Sequence, residues 1–121
     1  MLLRSNRLFS FTQYVAWQPP TDVYETEDGL AVQVEIAGMR DGNLQVSLEN
    51  RLLVISGVRD DPAAERRAYH QMEIRSGEFR IEIEIPIPVD ARGIEAHYED
   101  GFLRVMLKRP DVVRVSLSES E

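Results

Sequence analysis

His70 and His97 are the two histidines of a chain that has no cysteine, so any borderline metal site would have to be built around them. They fall on different predicted strands, and a structural zinc site wants four close ligands. The sequence therefore assigns them to surface or interface positions, with no metal. Glu82 and Glu84 flank Ile83 in an alternating stretch, which puts their carboxylates on one face of a strand about 7 Å apart along the chain. That spacing could mimic the carboxylate pair of a hydrolase. Alternating strands expose such pairs routinely, and neither a nucleophile elbow nor an oxyanion motif accompanies this one. Gly38 and Gly42 lack the strand-to-helix setting and the lysine of a phosphate loop. Asp60-Asp61 and Arg66-Arg67 read as a solvated loop. The residues capable of chemistry thus form no catalytic constellation, and the expected function is binding, with no cofactor and no enzymatic activity.

The elements that carry these residues are strands. Phe79, Ile81, Ile83 and Ile85 alternate with Arg80, Glu82 and Glu84; a period of two puts one set in a core and the other in water. Pro86 and Pro88 cannot donate to a ladder, so pairing should stop near Ile85, and Val89-Asp90 leads into a turn. The same reading predicts strands at Asp22–Glu25, Leu30–Ile36, Leu44–Glu49, Leu52–Gly57, Ile94–Tyr98 and Leu103–Leu107, with hairpin turns at Glu27-Asp28-Gly29 and Glu99-Asp100-Gly101. Ala68–Glu73 is a further brief strand inside a charged excursion that begins at Asp60. Seven or eight short strands at this spacing predict an all-β sandwich.

At 121 residues the chain is a single domain able to bury a core without staples. Fourteen basic residues against twenty-one acidic ones give a net charge of −7, the wrong sign for a protein whose main affinity is for nucleic acid or anionic lipid. Arg4 and Arg7 interrupt the apolar start, which argues against a secretory signal, and no run approaches a transmembrane span. Absence of cysteine fits a reducing compartment, and the reading is a cytoplasmic protein. Leu8, Phe9, Phe11, Tyr14 and Trp17 concentrate in an arm with no helix-capping pattern; Gln18-Pro19-Pro20 is a stiff connector to the first strand. After Pro110, Val113, Val115 and Leu117 alternate in a tail with acidic residues at its end.

The order Ala37-Gly38, Leu52 to Gly57, Gly77-Glu78-Phe79, Ile85-Pro86, Val89-Asp90 and Ala96-His97-Tyr98-Glu99-Asp100-Gly101-Phe102-Leu103 resembles the α-crystallin domain of small heat-shock proteins. The last segment matches the family's Ala-x-x-x-Asn/Asp-Gly-Val/Leu-Leu pattern. The resemblance covers about Pro19 to Lys108 and implies an immunoglobulin-like β-sandwich at 19–109, with an N-terminal arm (1–18) and a C-terminal tail (110–121). It implies an oligomer built from dimers, with ATP-independent holdase activity toward unfolding client proteins as a stress response. In bacterial and plant members a strand of the long loop is exchanged between partners. Here that pairs Tyr69, His70 and Met72 with Val23 and Tyr24 of the other chain, which would make a pH-sensitive interface at His70 conceivable. The family's Ile-x-Ile tail motif docks in a groove; Val113-Arg114-Val115 or Val115-Ser116-Leu117 would serve, against Val46, Leu48, Ile94 and Ala96. Leu8, Phe9, Phe11 and Trp17 are the expected client-binding residues. Two departures stand out: Ile81 occupies the position where the family often has an arginine, with Arg80 one place early on the opposite face, and the arm is short, which disfavours large assemblies. The rival reading is a non-assembling co-chaperone or adaptor resembling CS-domain proteins.

Overall fold

A computed structural model describes residues 16–40, 42–61 and 68–119. Seven strands follow one another as β1 (Thr21–Glu25), β2 (Gly29–Glu35), β3 (Leu44–Glu49), β4 (Leu52–Arg59), β5 (Gly77–Glu84), β6 (Glu95–Glu99) and β7 (Phe102–Lys108). All pair antiparallel, in a four-stranded sheet ordered β1-β2-β7-β6 and a three-stranded sheet ordered β3-β4-β5. The two-layer sandwich expected from the alternation is the fold observed.

Register explains the core. Val46, Ile55 and Ile81 lie side by side across the three-stranded sheet, as do Leu48, Leu53 and Ile83. Val32 and Val105 face them from the other layer, flanked by Val34–Leu103 and Leu30–Leu107. Ile36, Leu53, Ile55, Ile85 and Val105 are fully buried, and no charged or polar residue joins them in the core of the described residues. β5 ends at Glu84, and Ile85 N–H donates to Arg51 O at 2.8 Å as the last bond before the prolines.

Turns fall where the residues require. Asp100 and Gly101 have φ of 54° and 82°, the two left-handed positions that a tight primed hairpin demands. Gly57 is needed for a different reason: a Cβ there would lie 2.3 Å from Asn43 O and 2.9 Å from Phe79 Cζ, so the motif glycine makes room for the largest buried ring. Asp90 caps a single 3-10 turn, Ala91–Gly93, by accepting from the Arg92 N–H at 2.9 Å. That bond and the Arg92 guanidinium hold the Asp90 carboxyl below its ordinary value despite an opposing push from desolvation. The cap is therefore fully formed at neutral pH and is lost only as pH falls through the lowered folded value.

One expected element does not form. Residues 68–76 carry no strand in the single chain, and the brief strand anticipated at Ala68–Glu73 is corrected to an irregular, exposed segment. A strand needs a neighbour to satisfy its backbone groups, and among the described residues no strand pairs with this segment.

Candidate functional site

The groups that could have done chemistry are solvated and dispersed. Glu82 is engaged by Arg80 Nε at 2.7 Å on an open sheet face, and the His97 side chain is 3.9 Å from Glu95 with both largely exposed. Among the described residues no three His, Asp or Glu side chains converge as metal ligands, and no helix is long and apolar enough to cross a membrane. What the fold does present is apolar side chains at edges and extensions.

On β1, an edge strand, Val23 and Tyr24 are more than two-fifths exposed. The segment expected to pair with such an edge holds Tyr69, His70 and Met72, all exposed, with Met72 at 63%. Tyr69 Oη donates to Asp61 Oδ2 at 3.1 Å. Ile74, 81% exposed, continues this surface; sequence reading stopped at Glu73 and missed it, although Met72 and Ile74 alternate in the ordinary way. Among the described residues of one chain, β1 pairs with β2 and with no part of the Tyr69 segment.

The root of that segment is clamped. Arg59 donates to Arg75 O through Nε (3.0 Å) and Nη2, and to Ala37 O through Nη1 at 3.2 Å, while its guanidinium lies 4.7 Å from the centre of the Trp17 ring. Trp17 packs edge-on against Phe79 with centroids 5.7 Å apart. Its Nε1 donates to Gly77 O at 3.4 Å, and its backbone forms a parallel bridge to β5. Of the expected client-binding residues, Trp17 is thus half-buried against the domain; Leu8, Phe9 and Phe11 lie outside the described residues.

Gln18 to Pro20 carry the chain from the β5 edge to β1, which sets those two edges on one side of the sandwich and leaves β3 and β6 on the other. Val46 and Leu48 of β3 and Ile94 before β6 are half-buried against the core, and Ala96 on β6 is exposed. The four expected groove residues therefore come from the two edges that share a side. Tyr98 ties that side together by donating to Ile36 O at 2.8 Å and accepting from Met39 N–H at 3.4 Å.

The tail leaves from the opposite end of β7. Arg109 donates to Thr26 O (2.9 Å) and Glu27 O (2.8 Å), pairs with Glu25 at 3.0 Å, and its N–H donates to Asp28 O, so the tail root is locked to the β1–β2 hairpin. Beyond it Val113, Val115 and Leu117 are almost fully exposed, Leu117 at 89%. A lone arginine between Lys108 and Pro110 carries no sequence signal for this lock, because its acceptors are over eighty residues away.

The chain is similar in sequence and in fold to known proteins. A family model described as the Hsp20/alpha crystallin family matches residues 22–117. The chain is 28% identical over 94 residues to small heat shock protein C2 of Rickettsia felis, covering 77% of this chain and 61% of that protein. It is 31% identical over 110 residues to the 17.7 kDa class II heat shock protein of Arabidopsis thaliana, covering 82% and 70% of the two chains. Among solved structures, heat shock protein 16.0 from Schizosaccharomyces pombe superposes with a TM-score of 0.71 at 29% identity, covering 87% of this chain and 98% of that one.

Proposed function

Because the chain belongs to the Hsp20/alpha crystallin family, we propose that it is an ATP-independent holdase that binds unfolding proteins and suppresses their aggregation. The observation that carries this reading is the set of large apolar side chains left in water on edges and extensions, from Met72 and Ile74 to Val113, Val115 and Leu117. Exposed apolar surface beyond the scattered single residue marks a place of interaction, and open edges accept a peptide from another chain. Holding needs only such surface, kept occupied by the protein's own copies until a client competes for it.

In this reading residues 1–18 are a client-binding arm with Leu8, Phe9, Phe11 and Trp17 as its contacts, 19–109 the scaffold and 110–121 a docking tail. Partners exchange the Tyr69–Met72 segment onto Val23 and Tyr24, and the tail enters the Val46, Leu48, Ile94 and Ala96 side of a neighbouring dimer. The net charge of −7 keeps loaded complexes apart. The cysteine-free composition fits the cytoplasm as the place of action.

Light scattering of a heated client tests the function. Added chain in molar excess should suppress scattering equally with and without nucleotide; scattering unaffected by the chain would contradict the reading. Removing the residues after Pro110 should lower the native mass to that of a small building block, most simply a dimer, and an unaltered mass would count against tail docking.

A further inference from the structure

The outer face of the three-stranded sheet is not an ordinary solvated face. Its central strand, β4, lays Leu52, Val54, Ser56 and Val58 along the middle, three of the four apolar, with Leu52 and Val58 nearly two-fifths exposed. Carboxylates border the stripe, Glu49 on β3 and Glu78, Glu82 and Glu84 on β5, and Arg80, paired with Glu82, is the cation among them. The chain joins the folded domain at this border. Trp17 N–H donates to Glu78 O at 3.3 Å and Trp17 O accepts from Arg80 N–H at 3.2 Å, while Ala16 edges a shallow concavity shared with Gln45, Ser56, Val58 and Arg80.

Residues 1–15 therefore start from the margin of an acidic, apolar-striped face. They carry Arg4 and Arg7 and no acidic residue, together with Leu8, Phe9 and Phe11. Fully extended they reach about 50 Å, whereas three strands about 4.8 Å apart span roughly 15 Å. Tethering at Trp17 gives the arm an effective concentration on the order of millimolar at this face.

We propose that residues 1–15 dock in cis on the outer face of the β3-β4-β5 sheet, with Arg4 and Arg7 against Glu49, Glu82 and Glu84, and Leu8, Phe9 and Phe11 over Leu52, Val54 and Val58. The inference rests on the reading of the arm as client-binding, and it gives that arm a resting place in which its aromatic side chains are covered. A client then competes with the protein's own sheet for them.

The absence of cysteine allows a direct test. Ser10→Cys with Ser47→Cys, treated with a short bismaleimide, should link within one chain at least tenfold faster than Ser10→Cys with His97→Cys, whose second site lies on the outer face of the other sheet. Mixed single-cysteine chains should not link to each other. Glu82→Lys with Glu84→Lys should slow the link at least tenfold, and Arg4→Glu with Arg7→Glu should restore it; Trp17 emission reports whether each variant remains folded. Equal rates at Ser47 and His97, links only between chains, or a rate indifferent to charge reversal would each overturn the proposal. No client enters this experiment, so its failure is separable from failure of the holdase reading.

Discussion

Phe79→Ala will lower the free energy of unfolding by about 3–5 kcal/mol and shift the fluorescence of Trp17 to the red. Phe79 is 1% exposed and the largest fully buried side chain of the described residues, fitted against Gly57 where a Cβ would meet its ring at 2.9 Å. It is also the surface on which Trp17 rests edge-on. Removing the ring leaves a cavity in a layer that already has only three strands, and it takes away the support of the arm root. Trp17 is the one tryptophan of the chain, so its emission reads that second effect without a label. Phe79→Leu, which keeps most of the apolar volume, should cost clearly less and leave the emission closer to that of the parent. Denaturant midpoints for both variants check the result. A loss under about 1 kcal/mol for Phe79→Ala would mean the ring is not the keystone between arm and sheet.

Tyr69→Ser combined with Met72→Ser will convert the proposed dimer to a monomer at micromolar concentration while leaving the fold of the single chain intact. Both side chains are exposed in one chain, so intrachain packing loses little. In an exchanged dimer each would be buried against the partner's edge, and an apolar side chain fully buried is worth about 1.5–3 kcal/mol. Each chain contributes both, so the dimer loses four and association weakens by about 6 kcal/mol, roughly ten-thousandfold in the dissociation constant. Sedimentation measures the mass and the Trp17 emission certifies the fold. A variant that stays dimeric would move the interface away from this segment.

Alternation made the sandwich readable. Phe79 to Ile85, Leu30 to Ile36 and Leu103 to Leu107 each announce one buried face, and the Asp28-Gly29 and Asp100-Gly101 turns mark hairpins between strands. What escaped was whatever depends on a distant partner. Ala68–Glu73 has strand-like residues, but a strand is a property of two neighbours, and the described residues of one chain supply no second. Trp17 looks like part of a loose arm until the fold brings Gly77 and Phe79, some sixty residues away, against it. Arg59 and Arg109 act through carbonyls that only the folded chain gathers. Ile81 and Arg80, in contrast, were legible from the alternation alone: Ile81 sits in the core, while Arg80 points to the outer face and pairs with Glu82.

The most direct test of the account is native mass spectrometry of the chain heated with a denaturing client in the absence of nucleotide. Holding predicts that the self-assembled species gives way to co-complexes carrying client. A client that precipitates alone, leaving the mass of the chain's own assembly unchanged, would contradict it.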